Sequence, residues 1–370
     1  MTGRAAARPA VGFSPRGWGV LVPALALLMY APRADALPRY TAQYGQNCIL
    51  CHANPTGGGL RSAYASQFIV PRELASSQGA AADGPVFDPE IAPGITVGAD
   101  LRTLAWQREQ GTGSVFSMQG DFYVEARPTG RIAAYLEQGQ SGGGEVFAHL
   151  RVLPGDGYLK AGRFQPDYGW RFADHQMFNR RYLASRAGAD DPRTAMGQGL
   201  EAGISPGPLT VTAAVLDGRP ELGENYAARA MLQRRLGAVN AGVGASVLRR
   251  GLADGHSRAA GGFWYLSAGP VTWLGEVDET RLDGRLGNLA AQELTVRLVQ
   301  GVDARVTFGF QDPDRAERTG ARRRYGLGVA WLPLPWVGLQ AMGNYWNNDQ
   351  GNDVADLDRY EGELMLHVFF

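Results

Sequence analysis

From Gly94 to the last residue, the chain consists of short segments in which apolar and polar residues alternate. In the segment 302–310 every even-numbered residue is apolar, whereas Asp303, Arg305 and Thr307 carry a charge or a hydroxyl group. Successive side chains of a β-strand point to opposite faces, so a period of two predicts strands with one apolar and one polar face. The pattern recurs in 289–299 and 323–333. The chain is therefore predicted to be all-β.

Sixteen segments of this kind can be counted. They cover residues 95–108, 115–127, 131–139, 145–153, 158–164, 197–205, 209–217, 226–236, 238–249, 261–268, 270–279, 289–299, 302–311, 323–333, 336–347 and 359–370. Transmembrane barrels of bacterial outer membranes have an even number of antiparallel strands, with short turns at one end and long loops at the other. The count therefore agrees with a barrel of about sixteen strands over residues 93–370.

The connections between these segments alternate in length. The tight ones include 127–130, 154–157, 205–208, 267–270 and 333–335. The longer, polar ones include 217–225, 250–260, 278–288, 311–322 and 347–358. This alternation is typical of short periplasmic turns and long external loops, so it predicts an antiparallel transmembrane β-barrel in the outer-membrane lipid.

The last segment ends on Phe370, as the terminal strand of outer-membrane proteins typically does. Its outward set is predicted to be Tyr360, Leu364, Leu366, Val368 and Phe370, with His367 on the lumenal face. A water-soluble sandwich also alternates, but the strand count, the turns and the terminus together favour the membrane barrel. A propeller requires a repeating blade motif, and the sequence contains none.

The first 36 residues have the features of a secretory signal. Arg4, Arg8 and Arg16 precede an apolar stretch at 18–31, and Ala34-Asp35-Ala36 offers a small-x-small cleavage pattern. We therefore expect residues 1–36 to be removed as a signal peptide when the chain is exported.

The segment Cys48-Ile-Leu-Cys51-His52 contains the only two cysteines of the chain. Cys-x-x-Cys-His is the attachment signature of a c-type haem, in which the thiols bind the porphyrin and the histidine is an axial iron ligand. The alternative is a thioredoxin-like redox pair, which is normally set in a βαβ pattern, whereas these flanks are loop-like. We predict one covalent haem c held by Cys48, Cys51 and His52 in a small domain with its linker, residues 37–92.

The second axial ligand of this haem is predicted less specifically. His175 is the first candidate, and His149 and Met177 are alternatives. His175 and Met177 lie in the longest connection, 165–196, which is too long for a simple hairpin and contains aromatic residues such as Trp170. We expect this connection to be an ordered loop that folds inward. His149 is placed on the lumenal face by the alternation.

Some functions are made improbable by composition. The formal charge is zero, which argues against binding to nucleic acid. No arrangement of residues suitable for hydrolysis is apparent, and an enzymatic role is left open only as oxidation of Fe(II).

An exported chain with one Cys48-x-x-Cys51-His52 motif after Tyr44-Gly45, followed by sixteen strands to Phe370, resembles the fused monohaem cytochrome–porins of bacterial outer membranes. That group includes the outer-membrane iron oxidases of iron-oxidising bacteria, and this barrel is short for it. The resemblance implies electron transfer across the outer membrane through one haem c. It also implies an extracellular donor such as Fe(II) and a periplasmic cytochrome that accepts the electron.

Three alternatives remain open at this stage. The first is a diffusion porin with a tethered periplasmic cytochrome, and the second is outward electron transfer to an extracellular acceptor. The third is a soluble periplasmic haem enzyme with an all-β domain. We expect the small haem domain to be a plug inside the lumen, where it would close the channel and place an electron carrier across the membrane.

Overall fold

The computed structural model describes most of the predicted barrel and part of the predicted haem domain. The described residues are 38–76, 87–111, 113–140, 144–172, 174, 176–179, 196–217, 225–252, 255–282, 284–317, 320–349 and 359–370. The predicted signal peptide, residues 78–86 of the linker and His175 lie outside them. Within the described residues, no helix is long and apolar enough to cross a membrane.

Sixteen long strands form a closed antiparallel barrel. Each strand pairs with its sequence neighbour, and the last strand, β17, pairs with β2 and closes the barrel. A short strand β1 (Glu90–Ala92) pairs with the start of β2. The barrel strands are β2 (Ile95–Arg108), β3 (Ser114–Thr129), β4 (Ile132–Gly139), β5 (Val146–Leu153), β6 (Gly157–Phe164), β7 (Gly197–Ile204), β8 (Leu209–Leu216), β9 (Asn225–Leu236), β10 (Val239–Leu252), β11 (Gly255–Ala268), β12 (Val271–Leu282), β13 (Arg285–Val299), β14 (Val302–Asp312), β15 (Ala321–Leu334), β16 (Val337–Asp349) and β17 (Arg359–Phe369). The predicted sixteen-stranded barrel is confirmed.

Two of the predicted long loops are wrong. The range 250–260 was expected to be a loop, but β10 continues to Leu252 and β11 begins at Gly255. The range 278–288 is likewise mostly strand, because β12 and β13 remain paired almost to their shared turn. The backbone ladder continues there although apolar residues no longer alternate with polar ones, since backbone pairing does not depend on the side chains.

The outer and inner faces of the barrel differ as the alternation predicts. On β14, Arg305 is 1% exposed inside the barrel, whereas its neighbour Val306 is 48% exposed outside. On β17, Leu364 and Leu366 are exposed, and the preceding Glu361 and Glu363, which have the opposite parity, are buried. Apolar side chains outside and charged side chains inside are the reverse of a soluble protein, and they suit a barrel surrounded by lipid.

Residues 38–76, called the plug below, lie inside the barrel at the end that carries the short turns. The plug contains helix α1 (Pro38–Tyr44), a 3₁₀ turn (Cys48–Leu50) and a π-helix (Ala65–Leu74). The backbone N–H of Ser76 donates to the Leu332 carbonyl oxygen at 2.9 Å, and the Gln300 side chain donates to the Ala75 carbonyl oxygen at 2.8 Å. These two contacts join the end of the plug to the short-turn end of the wall.

The connection after β6 folds into the lumen, as predicted. Its described residues from 165 to 179, called the inward loop below, include buried Tyr168, Trp170 and Phe178. The Tyr168 hydroxyl donates to the Asp278 carboxylate at 2.7 Å, and the ring of Phe178 packs 5.6 Å from that of Trp346. The inward loop therefore contacts the walls formed by β12 and β16.

Candidate functional site

The Cys-x-x-Cys-His motif forms one tight turn. The backbone N–H groups of Cys51 and His52 both donate to the Cys48 carbonyl oxygen, at 3.1 and 3.0 Å. Cys48 is half-buried and Cys51 is buried, and the two thiols do not form a disulfide. A single turn therefore presents two thiols and an imidazole close together, as attachment of one haem c requires.

A glycine turn follows the motif and brings the chain back past it. Gly57, Gly58 and Gly59 all have positive φ, which glycine adopts without steric cost. The residues after this turn run back beside the motif, and the Ala53 N–H donates to the Leu60 carbonyl oxygen at 3.0 Å. A Cβ atom on Gly57 would lie 3.0 Å from the Cys48 sulfur, so a side chain there would crowd the thiol.

His52 is buried, and its Nδ1 atom has no hydrogen-bond partner among the described residues. Burial and the nearby positive charge of Arg61 lower the pKa of His52 to about 4. The imidazole is therefore neutral at physiological pH, which is the form that binds a metal.

An apolar cavity lies between the plug and the barrel wall. Cys51 and His52 line it from the plug, and its volume is about 170 Å³. The apolar part of its lining includes Ile69, Val70, Leu74, Leu332 and Phe369. The Cys51 thiol, the neutral imidazole of His52 and this apolar lining fit a covalently held porphyrin, whereas Cys48, three residues before Cys51, lines a second cavity.

The residues predicted as the second axial ligand lie away from this cavity, as far as the structure describes them. His149 is buried on β5 with its Nε2 atom 3.7 Å from a Glu125 oxygen, and it does not line the cavity. Met177 is buried in the inward loop in a cluster with Trp170 and Phe263. His175 lies outside the described residues.

Two residues of β17 line the cavity instead. Met365 and His367 both face the lumen, and both belong to the lining that includes His52. The alternation predicts this face for His367, and the same odd-number parity could have identified Met365. Which part of the lumen the plug occupies could not be predicted from the sequence, because that depends on contacts between distant residues.

Buried polar contacts fix the plug to the wall. Lys160 forms a 2.6 Å ion pair with Glu201 and also donates to the Thr56 hydroxyl at 3.3 Å. The Leu60 N–H donates to the Tyr135 hydroxyl at 3.2 Å. Since buried polar groups need partners, these bonds specify one seat for the plug.

The plug and the inward loop also contact each other. The Arg171 guanidinium donates to the Gly57 carbonyl oxygen at 2.9 Å and to the Thr56 hydroxyl at 3.3 Å. The two elements therefore meet in the lumen and narrow it together.

A polar cavity remains beside the plug. Its volume is about 540 Å³, and it extends from the turn at 205–208 to Asp167 and Trp170 of the inward loop. Its wall includes Gln233 and Arg235 of β9, and Asn47 lines it from the plug. The plug therefore leaves part of the lumen open to water.

No protein-family model and no curated protein sequence matches the chain. Among solved structures, the chain is similar to OmpT, an outer-membrane protein of Vibrio cholerae, with a TM-score of 0.57 at 10% identity over 77% of this chain and 100% of that one. It is also similar to the anion-selective porin from Comamonas acidovorans, with a TM-score of 0.54 at 10% identity over 75% of this chain and 99% of that one. The outer-membrane channel DcaP of Acinetobacter baumannii gives a TM-score of 0.52 at 11% identity, over 75% and 97% of the two chains.

These likenesses define the class of fold, a porin-type β-barrel of the bacterial outer membrane. The apolar outer face of the strands agrees with that membrane, and the predicted location in the outer membrane is confirmed. At these identities the likeness concerns the fold alone.

Proposed function

We propose that the chain is a porin-type channel whose lumen is narrowed by the plug and the inward loop. Among the functions predicted from the sequence, the comparisons support the diffusion porin better than electron transfer. The polar cavity of about 540 Å³ beside the plug is the observation that carries this proposal. A sixteen-stranded barrel is wide enough for an aqueous channel, and this cavity is the part that the plug leaves free.

The lining of the polar cavity carries charges of both signs. Arg229 on β9 lies 3.5 Å from Asp167 of the inward loop, and Arg235 and Asp156 line the cavity nearer the turns. Such a lining suits small hydrophilic solutes, because polar groups replace the water that a solute loses on entering.

Swelling of liposomes that contain the purified full-length chain tests this function. We expect small sugars to enter faster than into empty liposomes, with entry falling steeply as the sugar becomes larger. Sugar entry equal to that of empty liposomes would contradict a diffusion role.

Electron transfer is the second candidate function, and the Cys-x-x-Cys-His turn beside the apolar cavity is the observation that favours it. When bound, haem c supplies a one-electron ferric/ferrous couple. Cys48 and Cys51 would hold its porphyrin, and the neutral imidazole of His52 would bind its iron. The apolar lining would exclude water from the porphyrin faces, and the plug would hold the site within the barrel. From the resemblance, we propose an extracellular donor such as Fe(II) and a periplasmic cytochrome as acceptor.

Liposomes with an oxidant trapped inside and Fe(II) outside test this second function. The proposal predicts reduction of the trapped oxidant by the wild-type chain, and none by a Cys48→Ser/Cys51→Ser variant that carries no covalent haem. Equal reduction by both proteins would indicate leakage of Fe(II) through the channel and would contradict electron transfer through haem.

A further inference from the structure

We propose that His367 of β17 is the second axial ligand of the haem held by Cys48, Cys51 and His52. This inference rests on the second candidate function, because it requires that the haem is bound. It assigns a role to a residue of the barrel wall, so that the plug and the barrel would each supply one ligand to the iron.

The first argument is that His52 and His367 border the same cavity from two different elements. His52 lies on the plug and His367 on β17, and both line the apolar cavity. His149 and Met177 do not belong to that lining. Among the histidines of the described residues, His367 is therefore the one that lines the cavity together with His52.

The second argument is a chain of contacts that seats the motif on the end of β17. His52 forms an isolated β-bridge with Arg61, which follows the glycine turn. The Arg61 guanidinium lies over the ring of Phe369, 3.7 Å from its centre, and this ring is 4.3 Å from that of His367. The plug is thus fixed beside the part of β17 that carries His367.

The seam between β17 and β2 accommodates the plug at the same place. A Cβ atom on Gly98 of β2 would come within 2.7 Å of the Leu60 side chain and 2.6 Å of the Phe370 carbonyl oxygen. A glycine at this position therefore allows Leu60, which immediately precedes Arg61, to approach the wall closely. The contact between plug and wall therefore depends on Gly98 of β2 as well as on Leu60 of the plug.

The third argument is the carboxylate that holds His367. The Nε2 atom of His367 lies 2.9 Å from an Asp100 oxygen, and Arg102 binds the same carboxylate at 3.1 Å. Metal-binding histidines commonly give one ring nitrogen to a carboxylate and the other to the metal, which fixes the ring and raises the basicity of the ligand. Asp100 lies beside Nε2 of His367, so Nδ1 is the nitrogen that would bind iron.

Met365 is the competing ligand, since it lies two residues earlier on the same face and lines the same cavity. A thioether has no second group through which the protein could orient it, and no hydrogen bond of Met365 corresponds to the Asp100–His367 pair. The two ligands also predict different haem potentials, because a histidine–methionine pair raises the potential.

The test is the ferric absorption and electron paramagnetic resonance of the purified full-length protein with its covalent haem. The wild type is expected to be low-spin with two imidazole ligands. His367→Ala should lose the low-spin signal, and added imidazole should restore it. His256→Ala is the matched control, because His256 is exposed on β11 and away from the cavity; its spectrum should equal that of the wild type.

A His367→Met variant gives a second readout if the alanine variant does not fold. It should show the weak far-red band of an iron–sulfur bond together with a raised potential. A low-spin spectrum that survives in His367→Ala overturns the proposal, and so does loss of that spectrum in Met365→Leu. Absence of covalent haem from the wild type, seen by peroxidase staining of a denaturing gel, overturns the haem function itself and the ligand with it.

Discussion

The side-chain amide of Asn54 in the plug donates a 2.6 Å hydrogen bond to the Glu145 carboxylate on the barrel wall, and both groups are buried. The other oxygen of Glu145 accepts the backbone N–H of Gln165, where the inward loop begins, at 2.7 Å. One carboxylate therefore fastens both elements that narrow the lumen.

Removing this carboxylate should loosen the plug. In a Glu145→Ala variant, Asn54 and Gln165 each lose a bond to a charged partner, which is worth about 1.5–3 kcal/mol. We expect faster trypsin cleavage after Arg61 and Arg72 of the plug in the folded protein. Glu317→Ala removes an exposed carboxylate from an external loop and is the control. Equal cleavage rates in both variants would mean that Glu145 does not hold the plug.

The ion pair between Lys160 and Glu201 should be needed for the stability of the barrel, because neither charge has access to water. Both side chains are completely buried, and the Tyr158 hydroxyl donates to Glu201 at 2.8 Å. Lys160→Met leaves Glu201 as an unpaired buried charge, and breaking such a pair costs about 3–5 kcal/mol. We expect a lower midpoint of thermal unfolding in detergent, measured by circular dichroism. In the double variant Lys160→Met/Glu201→Leu much of the loss should be recovered, and a double variant less stable than the single one would contradict this explanation.

The ion pair between Asp174 and Arg324 should keep the inward loop in the lumen. Arg324 is buried and Asp174 is half-buried, and the bond joins the inward loop to β15. Arg324 also lies 3.7 Å from Glu363, so Asp174→Asn removes the nearer of its two carboxylate partners. The loop should therefore leave its seat more often, and the single-channel conductance should rise. Asp217→Asn changes an exposed carboxylate elsewhere and should leave conductance unchanged. A conductance of Asp174→Asn equal to that of the wild type would exclude this anchoring role.

Gly59 should be required for the seat of the plug. Its φ is +62°, and a Cβ atom there would collide with the Tyr135 hydroxyl that accepts the Leu60 N–H. Gly59→Ala combines this collision with a left-handed backbone that costs about 1–2 kcal/mol for other residues. We expect increased protease sensitivity of the plug. Gly130→Ala is the matched control, since no atom lies within 4 Å of the added carbon. Similar sensitivity of the two variants would show that Gly59 is replaceable.

The sequence predicts the barrel well because its strands follow a local rule. Segments such as 302–310 show period-two alternation, and the membrane requires that alternation within each strand. The rule fails at the rims of the barrel, where Gly251 pairs with His256 in a range predicted to be a loop. Side chains at the rims no longer meet lipid, so the ladder continues without a sequence signal.

The site could be predicted from the sequence only where it is local. Cys48, Cys51 and His52 are recognisable from five consecutive residues, and the aromatic residues of the connection after β6 indicate that it folds inward. The seat of the plug depends on pairs such as Asn54 with Glu145, which are separated by 91 positions. Neither His367 nor Met365 could be matched to His52, because no local pattern records which residues of the wall the plug meets.

The single-channel conductance of the full-length chain, compared with that of a variant lacking residues 38–76, tests most directly that the plug narrows the lumen. A sixteen-stranded barrel without a plug leaves an aqueous channel. We therefore predict a conductance several-fold larger for the shortened chain, with the same heat-modifiable barrel on gels. Equal conductance of the two proteins would show that residues 38–76 do not occupy the lumen in the membrane, and would contradict the role of the plug in narrowing it.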